Sequence, residues 1–325
     1  MSYKGNFIIF ALLLLSASET KAQPILPPLT TWHGKSESLI AKATDPWITP
    51  TEKSGFITTP DYNETVSWFK KLTTASRLLR MVTIGESLEG RDIVMIVASI
   101  EQNMTPAALK KSNKPLFLVQ AGIHSGEIDG KDAGMMLLRD IAFGGKQSLL
   151  NKVNFLFIPI LSVDAHERSS EYNRPNQRGP ENMGWRTNAQ NLNLNRDYAK
   201  LDTKELRAVV KVMNEYNPVL YMDIHVTDGA DYQYDITFGG IGLQGNSPGI
   251  SQWLETIFKP AADKDLLAQG HIPGPLLLAL NDRDFSEGNI WILGSPRFSD
   301  SYGNLRHMAT LLIENHSLKP YKQRV

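Results

Sequence analysis

The fold and the chemistry of this chain are first visible in one stretch, which reads Leu116-Phe117-Leu118-Val119-Gln120-Ala121-Gly122-Ile123-His124-Ser125-Gly126-Glu127. Its first six residues are almost continuously apolar, a pattern typical of a β-strand that helices cover on both faces. A histidine and a glutamate three positions apart follow, where the strand opens towards the next helix. Because open α/β sheets bind ligands at the carboxyl ends of their strands, this stretch predicts an α/β protein with a functional site here.

Two further apolar strands end in side chains of the same chemistry. Residues 219–224 lead to His225, and residues 309–313 lead to Glu314. His124, Glu127 and His225 together supply two imidazoles and one carboxylate. With a water molecule, these groups form the ligand set of a catalytic zinc site. Glu314 is then a candidate for the base that takes the proton of a metal-activated water.

Each of these residues also has a structural interpretation. His124 could be a hydrogen-bonded turn residue, and Glu127 a carboxylate favoured by the positive end of a helix dipole. Glu314 could pair with a buried arginine.

Three more polar residues suit an amide hydrolase. Asn195 and Arg196 place an amide beside a planar guanidinium, which can hold a carboxylate with two hydrogen bonds. Arg186 could polarise the carbonyl of the scissile bond and stabilise the oxyanion that forms. The alternatives are turn chemistry for the asparagine-rich stretch and a solvated loop charge for Arg186.

The composition is that of an ordinary globular protein. Of the 325 residues, 42% are hydrophobic, and 34 Lys and Arg balance 34 Asp and Glu. Zero net charge gives no electrostatic case for nucleic-acid binding or for coating an anionic membrane. The chain has no cysteine, so disulfides, thiolate nucleophiles and iron–sulfur ligation are excluded. A metal must therefore be held by His, Asp or Glu.

The amino terminus has the features of a targeting signal. Lys4 precedes the apolar run 7–15, and small residues then lead to a cleavage site after Ala22. The run is too short for a comfortable membrane span of about 20 residues. We therefore expect residues 1–22 to be a signal peptide and the mature protein to be exported, either to a periplasm or out of the cell. An uncleaved N-terminal anchor is the alternative.

After the signal, the sequence predicts an extension and one catalytic domain. Residues 23–59 are rich in Pro, Thr and Ser without clear periodicity and are interpreted as an N-terminal extension. Residues 60–325 alternate helical and strand-like patterns, with a helix predicted over 62–80 and another that Asn217-Pro218 ends. The chain stops 11 residues after Glu314, an ending abrupt enough to suggest truncation of this domain.

The sequence resembles the zinc metallocarboxypeptidases of the carboxypeptidase A type. The resemblance covers roughly residues 62–314 and is carried, in order along the chain, by residues 85–91, His124-Ser125-Gly126-Glu127, Trp185-Arg186, Asn195-Arg196, His225 and Glu314. It implies a single α/β domain with a mixed, mostly parallel sheet of about eight strands between helices, and hydrolysis of a terminal peptide bond. It also implies one Zn²⁺ on His124, Glu127 and His225, a carboxylate clamp at Asn195 and Arg196, Arg186 as the carbonyl-polarising arginine and Glu314 as the general acid/base.

The sequence departs from the family pattern at several positions. Pancreatic-type members have an arginine where Gly126 stands, so a cationic substrate contact is expected to be missing. They have an aspartate at the position of Asn193 to orient a zinc histidine, and Asp223 is a hypothetical substitute for it. The mobile tyrosine of the family has no clear counterpart, since Tyr302 is too near Glu314 in sequence. Residues 296–301 are expected to line the pocket for the substrate side chain, but their mixture of Ser, Asp and Arg does not identify the preferred residue.

The sequence therefore predicts a zinc exopeptidase that is a monomer and whose partner is a peptide with a free C-terminus. Nucleic acid is not an expected partner, and neither is a membrane after signal cleavage. Two other functions stay open. One is a zinc amide hydrolase for N-acyl amino acids or peptidoglycan stem peptides, and the other is a catalytically inactive protein that keeps the fold to bind a ligand.

Overall fold

The structure is a computed structural model that describes residues 26–29, 31–240, 246–281, 283–290 and 294–325. The predicted signal peptide, residues 1–22, lies outside the described residues. No helix in the described part of the chain combines the length and the apolar character needed to cross a lipid bilayer.

An eight-stranded mixed sheet forms the centre of the described chain, in the order β1-β2-β4-β3-β5-β10-β6-β7. The strands are β1 (Leu79–Glu86), β2 (Asp92–Ala98), β3 (Leu116–Ala121), β4 (Asn154–Ile158), β5 (Leu220–Val226), β6 (Ile236–Gly239), β7 (Pro273–Pro275), β8 (Leu278–Ala279), β9 (Asn289–Ile290) and β10 (Ala309–Asn315). Strands β8 and β9 form a separate two-stranded ribbon. The four neighbours β4, β3, β5 and β10 are all parallel, so their carboxyl ends share one edge of the sheet.

Helices cover both faces of this sheet. The α-helices are Pro50–Lys53, Tyr62–Ala75, Pro106–Lys111, Asp129–Ala142, Val163–Glu167, Lys204–Tyr216, Pro248–Trp253, Lys259–Gln269, Ser299–Leu305 and Tyr321–Arg324. Phe69 and Met135, from two of these helices, pack with Phe157 on one face. Leu206 and Val209 pack on the opposite face. This arrangement confirms the predicted α/β fold with helices around a mixed sheet.

The helix ends follow local signals in the sequence. The Asp61 side chain accepts a hydrogen bond from the backbone N–H of Glu64 at 2.8 Å and caps the start of helix Tyr62–Ala75. Helix Lys204–Tyr216 ends at the Asn217-Pro218 pair, as predicted, and Asn217 adopts the left-handed conformation with φ 52°. The helix predicted over 62–80 ends earlier, at Ala75, because Leu79 already pairs with Ala98 in the edge strand β1.

The described part of the N-terminal extension packs on the main body. Within it, the buried Glu52 closes a capping box on Thr49 and forms a salt bridge to Arg139 at 2.6 Å. Arg139 also donates to the backbone carbonyl of Leu39. The extension is therefore fastened to helix Asp129–Ala142, which begins directly beside Glu127.

Candidate metal centre

Two histidines and a glutamate meet at the carboxyl ends of β3 and β5. One ligand atom from each of His124, Glu127 and His225 lies within 4.8 Å of the other two, and all three residues are buried. His124 Nδ1 is 3.3 Å from Glu127 Oε1, and His225 Nδ1 is 2.8 Å from Glu127 Oε2. The structure thus brings together the three residues that the sequence nominated as metal ligands.

A sharp turn after β3 positions the first two of them. Gly122 has φ +66°, a conformation that favours glycine. A Cβ at this position would lie 3.2 Å from both the Cα of Ile160 and the side chain of Ile128. The turn therefore needs glycine both for its backbone angle and for its packing, and it directs His124 and Glu127 towards the end of β5.

Hydrogen bonds on the far side of each imidazole leave both Nδ1 atoms facing Glu127. The carboxamide oxygen of Asn193 is 2.9 Å from His124 Nε2, and Asp223 Oδ2 is 2.9 Å from His225 Nε2. Asn193 therefore stands in for the family's aspartate. Asp223, hypothesised as that substitute, contacts the other histidine instead. Partners of this kind orient metal-binding imidazoles.

The charges of the three side chains suit a divalent cation. Burial lowers the pKa of His124, which favours the neutral imidazole that binds metal. Burial tends to raise the pKa of Glu127, but Arg174 and His124 outweigh it and hold the pKa well below its usual range. Burial also tends to lower the pKa of His225, but Asp223 and Glu127 raise it well above its usual value. A metal ion would replace the proton that this arrangement attracts to His225.

The residues fit a zinc ion on two further observations. His124 Nδ1 is a buried atom that lacks a hydrogen-bond partner among the described residues, although it points at Glu127. Two nitrogen donors and one carboxylate also form a set that zinc commonly takes in catalytic sites, with another position left for water.

Arg174 is a site residue that sequence reasoning missed. Its Nη1 donates to Glu127 Oε1 at 2.8 Å, and its Nη2 donates to the carbonyl oxygens of Val226 and Thr227 at 3.3 and 3.2 Å. A Cβ on Gly126 would lie only 2.7 Å from Arg174 Cδ and 2.7 Å from the Gly184 carbonyl oxygen. The glycine that replaces the family's arginine therefore makes room for an arginine from a distant loop.

Glu314 stands beside the candidate ligands on β10. It is the register partner of His225 in the parallel pair β5–β10. Burial raises the pKa of Glu314 to about 8, with Glu127 and Asp228 acting in the same direction against His225 and Arg174. Its Oε2 is buried and lacks a hydrogen-bond partner within the described chain, so an arginine does not neutralise this carboxyl group. It is placed to exchange a proton with a molecule in the cavity.

The remaining predicted residues line one cavity of about 480 Å³ together with Glu314 and the candidate ligands. Arg186 is 40% exposed, and its Nη1 donates to Glu127 Oε1 at 3.0 Å. The carboxamide oxygen of Asn195 accepts a hydrogen bond from the Ser299 backbone N–H at 2.8 Å. Arg196 donates to the carbonyl oxygen of Asn195 at 2.7 Å. The asparagine is thus committed to the pocket wall, while the arginine side chain faces the cavity.

Comparisons with known proteins identify the family and the fold of this chain. The sequence model of the zinc carboxypeptidase family matches residues 65–264, and the chain belongs to this family. The match includes the three candidate metal ligands and ends before Glu314. A search of curated proteins found no significant match.

Solved structures show the same fold at low sequence identity. A metallo-carboxypeptidase from Burkholderia cenocepacia has a TM-score of 0.58 at 16% identity, over 80% of this chain and 61% of that one. A metallo-carboxypeptidase from Pseudomonas aeruginosa, in complex with (2-guanidinoethylmercapto)succinic acid, has a TM-score of 0.56 at 17% identity. The match covers 82% of this chain and 62% of that one. Carboxypeptidase A from Helicoverpa armigera has a TM-score of 0.56 at 17% identity, over 79% of this chain and 64% of that one. The chain thus spans less than two thirds of each of these structures.

Proposed function

We propose that this protein is a zinc-dependent exopeptidase that hydrolyses the C-terminal peptide bond of its substrate. The observation that carries the proposal is the convergence of His124, Glu127 and His225 in a cavity that also holds Glu314, whose Oε2 lacks a hydrogen-bond partner among the described residues. Membership of the zinc carboxypeptidase family supports the same reaction class.

His124, Glu127 and His225 would hold the metal. Bound there, zinc would act as a Lewis acid on the scissile carbonyl and lower the pKa of a water molecule towards about 7. Glu127 enters this arrangement as a carboxylate because Arg174 keeps its pKa low. Asn193 and Asp223 hold the two imidazoles in place from behind.

Glu314 acts as the general acid/base in this proposal. In the metal-free protein, burial raises the pKa of Glu314 to about 8. The positive charge of a zinc ion nearby would lower this pKa and favour the carboxylate that a general base requires. Glu314 would take the proton of the attacking water and give it to the departing amine. Its buried, unpartnered oxygen favours this role over a structural ion pair.

The arginines account for substrate binding. The Arg196 guanidinium can bind the free α-carboxylate with two hydrogen bonds, which would place the last peptide bond next to Glu314 and confine cleavage to chain ends. Arg186, partly exposed beside Glu127, can donate to the carbonyl oxygen as negative charge develops on it. Water exclusion by the bound peptide would strengthen both contacts.

The proposal is tested with zinc-loaded protein and short peptides that end in a free carboxylate. We expect release of the single C-terminal residue, detected by mass spectrometry, with loss of activity after chelation and recovery on adding zinc. The same peptides with amidated C-termini serve as the control and should be cleaved poorly. Cleavage within the peptides, or of N-acyl amino acids alone, would contradict the proposal.

We also propose that the protein acts outside the cytoplasm, on the basis of the signal-like sequence of residues 1–22. Cell fractionation followed by N-terminal sequencing should find the exported form beginning at Gln23. An intact N-terminus on cytoplasmic protein would contradict this.

A further inference from the structure

Two arginines in the cavity share one aromatic ring. The guanidinium carbon of Arg196 lies 4.2 Å from the centre of the Phe298 ring, and that of Arg297 lies 5.1 Å from the same centre. Both arginines and Phe298 line the cavity that contains the candidate metal ligands. Guanidinium groups stack well on aromatic faces, so the ring holds two positive charges close together in the substrate space.

Neither guanidinium group forms a salt bridge with a described residue. Arg196 makes a single side-chain hydrogen bond there, to the carbonyl oxygen of Asn195. Arg297 has neither a hydrogen bond nor a salt bridge from its guanidinium to a described residue, and it is exposed. Burial lowers the pKa of Arg196, and the charges of Arg186 and Arg297 act in the same direction, against the opposing charge of the exposed Asp228. Neighbouring like charges are unfavourable unless an anion joins them.

Glu314 is assigned to proton transfer, and two other charged groups of the cavity already have partners. Arg186 donates to Glu127, and Asp228 lies 3.3 Å from Arg174 Nη2. Asp300, in the first turn of helix Ser299–Leu305, is buried, and its Oδ1 lies 3.5 Å from the hydroxyl oxygen of Ser301. Of the arginines that line the cavity, Arg196 and Arg297 are thus the two that form no salt bridge with a described residue.

We propose that the enzyme prefers substrates whose C-terminal residue carries a second carboxylate, with Arg196 binding the α-carboxylate and Arg297 the side-chain carboxylate. This inference rests on the proposed exopeptidase function and specifies its substrate. The cavity wall also includes Leu276 and Leu312, which supply apolar surface for the methylene groups of such a side chain. Arg297 is thus a specificity-determining residue.

The test compares matched peptides that end in Glu, Gln or Lys. Glu and Gln have the same shape and differ in charge, so their ratio of kcat/KM isolates the second carboxylate. We expect kcat/KM for the peptide ending in Glu to exceed that for the peptide ending in Gln by about tenfold to a hundredfold, which corresponds to one hydrogen bond to a charged group. Arg297→Met should lower kcat/KM for the peptide ending in Glu to the value for the peptide ending in Gln, and should change the value for the Gln peptide by no more than about twofold. Arg297→Lys should keep part of the preference for Glu. Arg306→Met is the matched control, since Arg306 stacks on Tyr302 and does not line the cavity.

Three results would overturn the inference: equal turnover of Glu and Gln, equal losses for both in Arg297→Met, or a preference for Lys, which would point to Asp300. Failure of the exopeptidase proposal itself is distinguished by a binding experiment. Glu314→Gln protein loaded with zinc is titrated with N-acetylglutamate and N-acetylglutamine by calorimetry. The diacid should bind about tenfold more tightly, and Arg297→Met should remove the difference. Equal affinities would overturn the inference whether or not any peptide is cleaved.

Discussion

Replacing Glu314 with glutamine separates the chemical role of this side chain from its effect on stability. Glutamine keeps the shape of the buried side chain but cannot ionise. In the zinc-loaded enzyme, loss of a general base typically costs about 10²- to 10⁴-fold in rate, so Glu314→Gln should be almost inactive while it still binds zinc. Peptide turnover and metal content, measured on the same sample, check both expectations.

The metal-free protein provides a second test. The raised pKa of Glu314 determines whether the stability of the folded state rises or falls with pH. In the unfolded chain Glu314 ionises near the ordinary 4.5, while in the folded chain burial keeps its proton up to about pH 8. The folded state therefore binds more protons between these values, and stability falls as the pH rises through this window. The rise from 4.5 to about 8, at about 1.4 kcal/mol for each pH unit, sets an upper limit of about 5 kcal/mol on the loss.

Glu314→Gln lacks this ionisation, so it should lose less stability than the wild type when the pH rises from 5 to 9. Urea unfolding of both proteins in the presence of a chelator, followed by circular dichroism, measures the difference. Equal losses in the two proteins would show that Glu314 is not held protonated by its surroundings, and the reasoning from burial would be wrong.

Three other changes probe the clamp and the metal site. Arg196→Ala should reduce kcat/KM for peptides with a free C-terminus by about tenfold or more and barely affect amidated peptides; equal losses would argue against a carboxylate clamp. Arg174→Gln should weaken zinc binding by about 10- to 100-fold in a chelator competition, whereas Arg178→Gln, a matched change in the same loop, should not; equal effects would mean that Arg174 only stabilises the loop. Asn193→Asp should tighten zinc binding by about tenfold, because a carboxylate makes the imidazole of His124 more basic, and unchanged affinity would contradict this contact.

The sequence predicted those site residues that lie at the ends of buried strands. Residues 116–121 and 309–313 are apolar enough to be predicted as central strands, and parallel strands bring their carboxyl ends to one edge. The positions of His124 and Glu314 in the cavity follow from that rule. The family resemblance added the mixed sheet of about eight strands and the roles of the individual site residues.

Other features depend on contacts that the sequence does not encode locally. Arg174 reaches Glu127 across 47 positions of the chain, from an irregular loop whose Asn-Arg-Pro sequence is typical of turns. Gly126 was the available signal, because the missing side chain leaves space that another residue must fill. The start of β1 at Leu79 was hidden for a different reason. That strand lies at the edge of the sheet and is only partly buried, so its apolar residues could be read as a continuation of the preceding helix.

The account depends on one metal ion shared by His124, Glu127 and His225. Elemental analysis of the purified protein after zinc loading and dialysis measures this directly. We expect one zinc per chain in the wild type, loss of that zinc in His225→Ala, and retention of it in Glu314→Gln. Full zinc content in His225→Ala, or none in the wild type, would contradict it.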